Sequence, residues 1–249
     1  MADEGDVYRR LQKHLDALPI AYPATESGVD LRILKRLFTG EEAEVALGLN
    51  AVPETVEKIQ GRLPGRTPAE LERILDRLVA KGAIFGGPAL ARGGRKRYSR
   101  APLAIGMYEA QVDRLTKELQ QDFEQYAREG FAAALVGVKT KQMRTIPVNA
   151  RFVPDRLVGR YDDARRLVEE GAGPWAARNC VCRQGKDVLG EPCRQTSARR
   201  VCLMIGPAAR SSVATGEGQA LSRAETLALL GQAERDGMVL QPSNARDPV

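Results

Sequence analysis

Histidine is nearly missing from this chain, His14 being the only one in 249 residues. A Ser–His or Cys–His catalytic pair would have to use it, and its place on the first amphipathic stretch reads as a surface or boundary position rather than a ligand. Aromatic residues make up only 5%, too few for the stacking platforms that hold single-stranded nucleic acid. No stretch reaches the roughly 18 uncharged apolar residues a membrane helix needs, and the start, MADEGDVYRR, lacks the apolar segment of a signal peptide. Neither GxGxxG nor GxxxxGKS/T occurs, and Thr215-Gly-Glu-Gly218 is an isolated turn, weak as a phosphate cradle. These absences set aside hydrolase chemistry and leave the expectation of a cytoplasmic protein with no membrane span.

What is present is enough for real cores: hydrophobic residues make up 43%, in a chain long enough for one large or two ordinary domains. The formal net charge of +6 permits an acidic partner without choosing one. Three capping boxes mark helix starts, at Thr39-Gly-Glu-Glu42, Thr67-Pro-Ala-Glu70 and Ser222-Arg-Ala-Glu225. In each the hydroxyl can accept from the third helical N–H while the carboxylate reaches back to the cap. Periodicity predicts helices over Tyr8 to Leu18, Leu31 to Phe38, Glu41 to Leu49, Pro53 to Arg62 and Pro68 to Lys81. A strand at Ala83-Ile84-Phe85, a turn at Gly86-Gly87-Pro88 and a basic arm from Arg92 to Ser99 follow. Helix, turn, helix and a basic two-stranded wing make a winged-helix-like arrangement. Arg92, Arg95, Lys96 and Arg97 on that arm are the candidate nucleic-acid contacts. The helix before it, Pro68 to Lys81, mixes Glu70, Glu72 and Asp76 with Arg73, Arg77 and Lys81 and so lacks a clear cationic face.

Residues 107–129 read as the longest helix, with Val112, Leu115, Leu119, Phe123 and Tyr126 on one stripe. A strand over Met143 to Phe152 and a helix over Tyr161 to Glu170 come next, and Asp162-Asp163 suits a helix start. The segment after Ser222 echoes the one after Thr67: a capped helix, a glycine stop at Gly82 or Gly237, then an apolar strand. The expected fold class is α+β: a winged-helix-like domain over 1–104, a connecting helix over 105–137 and a small mixed cysteine-containing domain over 138–249.

All four cysteines fall in that last domain, spaced Cys180-x-Cys182, ten residues to Cys193 and eight to Cys202. In a reducing compartment such clustering favours metal ligands or reactive thiols over disulfides. Four soft thiolates can close around one zinc ion or hold the corners of a 4Fe–4S cube. Structural zinc favours C-x2-C knuckles, which are missing, so the cluster is the preferred reading, with zinc and uncommitted thiols as alternatives. Arg178, Arg183, Lys186, Arg194, Arg199, Arg200 and Arg210 outnumber Asp187 and Glu191 here, and nearby cations lower thiol pKa values and stabilise a reduced cluster. Trp175 is expected to shield the loop.

The runs Asn179-Cys-Val-Cys-Arg-Gln-Gly-Lys-Asp187 and Gly190-Glu-Pro-Cys193, with Pro102-Leu-Ala-Ile-Gly-Met107, Gln142-Met-Arg-Thr-Ile-Pro-Val-Asn149 and Leu240-Gln-Pro242, resemble a family of bacterial and archaeal 4Fe–4S ferredoxin-type proteins. The resemblance implies that Cys180, Cys182, Cys193 and Cys202 are metal or cluster ligands, with Arg178, Arg183, Lys186 and Arg194 as their surroundings. It departs where the family's cysteine-dense ferredoxin motifs usually follow, which leads to the expectation of a truncated product or of partner clusters on another chain. The role so implied is electron transfer or redox sensing beside a redox protein partner, an accessory to an oxidoreductase system with no substrate of its own. A DNA-binding redox-responsive regulator and a zinc-stapled interaction module are the alternatives.

Overall fold

A computed structural model describes residues 4–138 and 164–241, without the side chains of 4–6, 88–90 and 92. The chain mixes helices with two small antiparallel sheets and divides into two compact units, the first reaching to Thr140 and the second running from Lys141 to Pro248.

The first unit opens with helices α1 (Glu4–Asp16), α2 (Val29–Leu37), α3 (Gly40–Leu47), α4 (Val56–Gln60) and α5 (Pro68–Ala80). Local chemistry sets their ends. Both capping boxes form: Thr39 Oγ1 accepts from Glu42 N–H at 3.3 Å and Thr67 Oγ1 from Glu70 N–H at 3.3 Å. Pro68 takes the first helical position, where no N–H is needed. At the other end of α5, Gly82 turns left-handed (φ 69°) and Ala83 N–H returns to Leu78 O at 2.9 Å, closing a Schellman stop. Leu71, Leu75 and Leu78 on α5 are fully buried, with Ile33 and Leu34 of α2.

Strands β1 (Ile84–Arg92) and β2 (Arg95–Arg100) form the hairpin, and here the expected turn was misplaced. β1 continues past Gly86 and Gly87, and its register with β2 shifts between Gly87 and Arg92. The reversal falls at Gly93-Gly94, both left-handed at φ 60° and 74°, the pairing a tight two-residue hairpin requires. Gly86 serves close approach instead: a Cβ there would lie 2.5 Å from Tyr98 Cδ1 and 2.8 Å from Arg97 O. Glu54 pairs with Tyr98 through two backbone bonds of 3.0 and 2.9 Å, adding a short third stretch to the hairpin.

The helix expected over 107–129 is interrupted. Asp113 takes a left-handed conformation (φ 65°), and a new helix, α6 (Lys117–Tyr126), starts where Thr116 Oγ1 accepts from Leu119 N–H at 3.2 Å. That cap competes with helix continuation and wins. The stripe is still buried from Val112 to Tyr126, because packing needs the apolar residues on one side rather than one unbroken rod. Nor is α6 only a connector. It packs on α2 inside the first unit, where Asp122 accepts from Arg32 Nη2 at 3.1 Å and Arg36 Nε at 2.7 Å, and it runs on through a wide turn into α7 (Ala132–Gly137).

The second unit is described from α8 (Ala164–Glu170), so the strand expected over Met143 to Phe152, and Asp162-Asp163, lie outside the described residues. It continues with β3 (Trp175–Arg178), α9 (Val181–Val188), β4 (Cys202–Ile205), α10 (Pro207–Ala214), β5 (Gly218–Leu221) and α11 (Arg223–Arg235). The sheet order is β4-β3-β5, antiparallel throughout, with β3 central and its Trp175, Ala176 and Ala177 buried. Trp175 does not shield the cysteines. It packs with Ala164, Val168 and Leu230 at the end of β3 that pairs with Ile205, while the cysteine-bearing register is Arg178 opposite Cys202. Ser222 and Glu225 complete the third capping box, and α11 ends as α5 does, on Gly237 (φ 63°) with Met238 N–H bonded to Ala233 O at 2.8 Å. The echo is one of start and stop chemistry; no regular strand follows Gly237 among the described residues.

Candidate thiol site

Strand pairing gathers the cysteines. Arg178 ends β3 and pairs with Cys202 at the start of β4, so Cys180, two residues on, emerges beside Cys202. A second tie closes the approach: Cys180 N–H donates to Arg199 O at 2.8 Å. Cys180 is also the N-cap of α9, with extended backbone (φ −89°, ψ 114°), which puts Cys182 on the first turn. α9 then stops at Gly190 (φ 77°), where Glu191 N–H returns to Lys186 O at 2.9 Å, and Pro192 leads out toward Cys193.

Cys182 and Cys202 are the groups that act most strongly on the Cys180 thiol, followed after burial by the first-turn N–H groups of Arg183 and Cys182. Those thiols, more than the N–H groups, hold Cys180 far below the ordinary thiol pKa against the opposing effect of its burial. Cys193 is influenced by other groups. The N–H groups of Thr196 and Gln195 stabilise its thiolate first, then the Arg183 guanidinium, whose Nη1 is 2.7 Å from the sulfur. None of the four is in a disulfide; Cys182 is exposed and the others are half-buried.

The expected cationic surroundings are less uniform than the composition implies. Arg183 is aimed at sulfur. Arg178 donates to Glu217 at 3.2 Å, Lys186 lies 3.3 Å from Glu191, and Arg194 is exposed. Arg199 takes a larger part than its place in a basic run suggested: its carbonyl anchors Cys180, and its guanidinium makes a two-pronged pair with Asp187 at 2.5 and 2.8 Å. Met238 was not foreseen at all; its sulfur accepts from Arg183 Nη2 at 2.8 Å. Its position just past the glycine that ends α11 was the only available signal.

Thiols are the donors that soft metals take, and Cys180 and Cys182 stand at the start of α9 and Cys202 at the start of β4. Among the described residues no three His, Cys, Asp or Glu side chains form a ready set of metal donors.

The candidate nucleic-acid contacts are partly tied into the fold. Lys96 Nζ lies 2.9 Å from Glu72 and 2.7 Å from Asp76, both on α5, and Arg97 Nη1 donates to Pro53 O at 3.3 Å. Arg95 is exposed, and the Arg92 side chain lies outside the described residues. His14 bonds Leu49 O at 2.8 Å through Nε2, and burial, first among its causes, lowers its pKa, as befits a structural residue.

No family model matches this chain, and neither does any curated protein or solved structure. Among the described residues no helix is long and apolar enough to cross a membrane.

Proposed function

We propose that the chain binds a thiolate-ligated metal centre through Cys180, Cys182, Cys193 and Cys202, a 4Fe–4S cluster by preference and zinc as the alternative, and acts in electron transfer or redox sensing as an accessory to an oxidoreductase system. One observation carries this reading: the pairing of Arg178 with Cys202 and the bond from Cys180 N–H to Arg199 O bring Cys180 and Cys202 to the same end of the sheet, where α9 starts and carries Cys182 on its first turn. Thiolate is the form that ligates metal. A 4Fe–4S cluster supplies a one-electron change at a potential set by its hydrogen bonds and exposure. The residues' own part is to hold and bias the sulfurs: Arg199 O fixes Cys180, the β3–β4 pairing fixes Cys202, and Arg183 neutralises Cys193. The partly exposed cysteines suit exchange with a redox protein partner. The resemblance to 4Fe–4S ferredoxin-type proteins supports the same choice of metal.

The first unit we read as winged-helix-like, supported by α3 to α5 leading into the β1–β2 hairpin and by the Glu54–Tyr98 bridge that extends it. Because Lys96 is held by Glu72 and Asp76, this module is better suited to a protein partner than to DNA. Anaerobic reconstitution with iron and sulfide, followed by visible spectra, tests the site. Replacing Cys180, Cys182 or Cys202 with Ser should bleach the spectrum; unchanged spectra in all three variants would defeat the proposal. DNA binding lost in Arg95→Ala would revive the regulator reading.

A further inference from the structure

One residue holds α9 at both of its ends. The helix runs from its N-cap Cys180 to Val188, and from Glu191 to Val201 the chain after it takes no helix or strand. Arg199, within that stretch, reaches back to the helix twice. Its carbonyl accepts from Cys180 N–H at 2.8 Å and from Val201 N–H at 3.1 Å, so one oxygen pins Cys180 itself and the residue before Cys202. Its guanidinium lies on Asp187, in the last turn of α9, with Nε to Oδ2 at 2.5 Å and Nη2 to Oδ1 at 2.8 Å. The third nitrogen, Nη1, donates to Thr196 O at 3.2 Å and to Ala198 O at 3.3 Å, closing the stretch on itself. A planar guanidinium with five donors can serve a carboxylate and two carbonyls together, whereas an ammonium presents a point charge. Both side chains of the Arg199–Asp187 pair are partly exposed, so the pair adds little to global stability. What it fixes is the place of the Arg199 carbonyl.

We propose that Arg199 is a positioning residue for the thiol site, a clasp that sets the start of α9 against the start of β4 and so fixes the backbones of Cys180 and Cys202 relative to each other. The β3–β4 ladder ends at the pairing of Arg178 with Cys202, and Cys180 lies two residues beyond it. The clasp holds the chain there, and Asp187 acts through it by keeping the guanidinium in place. Other contacts tie the same stretch elsewhere, Arg183 to the Cys193 sulfur at 2.7 Å, Lys186 to Glu191 at 3.3 Å and Arg200 to Gln219, and none of these holds the backbone of a cysteine. The inference rests on the thiolate-site reading for its purpose, but the clasp is read from backbone amides whether or not metal is bound.

The experiment measures hydrogen exchange on the full chain as purified anaerobically, read by mass spectrometry with fragmentation to single amides. In Arg199→Ala the Cys180 and Val201 amides should exchange about tenfold faster than in the wild type, the factor expected when a charge-assisted hydrogen bond is lost. Ala176 and Ala177, in the middle of β3, should keep their rates. An equal rise in β3 would make Arg199 a general support of the second unit and overturn the clasp. Arg199→Lys keeps the charge but not the fork, so it should resemble Arg199→Ala; wild-type rates in the Lys variant would reduce the clasp to a charge effect and overturn it. Asp187→Ala, at an exposed position, should speed the same two amides by a smaller factor, and it carries the test if Arg199→Ala fails to fold. A Cys180 amide that exchanges at the wild-type rate in all three variants overturns the clasp. Iron and zinc content of the same wild-type preparation separates the two claims. A protein without either metal whose Cys180 amide still depends on Arg199 keeps the clasp and loses the metal reading, and a metal-bearing protein whose Cys180 amide is indifferent to Arg199 does the reverse.

Discussion

The two units of this chain are stabilised in different ways. The first buries aliphatic side chains from helices α1 to α6 and places its charges in matched sets: Asp30, fully buried, accepts from Arg9 and Thr25, and Asp122 from Arg32 and Arg36. Among its described residues the second has strands of four residues, a core cluster of Ala164, Val168, Trp175 and Leu230, and four half-buried or exposed thiols. A ligand that binds only the folded form stabilises the unit that holds it. The difference teaches where the metal proposal would matter: it should be a folding determinant for the second unit and irrelevant to the first.

The sharpest break comes from a core truncation. Leu75→Ala, at a fully buried position of α5, should cost about 2–5 kcal/mol. Hydrogen exchange should show the loss in α2 and α5 while α9 and β4 keep their protection. A chelator should produce the opposite pattern, with α9 and β4 losing protection and α5 unaffected. Equal loss in both units in either experiment would erase the contrast.

Acid should act on the first unit through Glu42. Burial alone would raise its pKa, but the bond from Lys81, then the Thr39 N–H bond, outweigh it and hold the carboxyl below its usual range. A group whose folded pKa is depressed adds stability that is present above its unfolded pKa and lost as pH falls through the folded one. Thermal stability of the first unit should therefore drop below about pH 4.5, and Glu42→Gln should remove that part of the dependence while lowering stability at neutral pH. A variant with an unaltered pH profile would refute the assignment.

The smallest effects are the most alike in the two units. Thr67→Ala and Ser222→Ala each remove one capping box and should each cost about 1 kcal/mol, read from urea midpoints. A clearly larger loss at Ser222 would show that α11, through Met238, also supports the cysteine loop.

Local rules made the helix boundaries readable. All three capping boxes, Pro68, and the glycine stops at Gly82 and Gly237 stand where short-range chemistry put them, because those signals lie within four residues of what they control. Periodicity was less dependable where two local options competed: Thr116 is as good a cap as its neighbours are helix formers, and the apolar stripe through Val112 and Phe123 is the same with or without the break. The hairpin turn was misread because Gly86-Gly87 and Gly93-Gly94 look alike in sequence, and only the packing of Gly86 against Tyr98 distinguishes them. In the thiol site, the clustering of cysteines in the sequence was visible, but the contacts that position them were not. That Cys180 meets Cys202 depends on strand pairing across 22 residues, and that Arg183 bridges Cys193 and Met238 depends on where α11 ends.

The central claim is that this loop holds a metal, and anaerobic purification with iron, sulfide and zinc quantified per chain tests it most directly. A cluster should give about four iron and four sulfide per chain, lost in Cys180→Ser. Zinc alone at one per chain would move the site to its alternative, and a chain that carries neither iron nor zinc under anaerobic conditions would contradict the account.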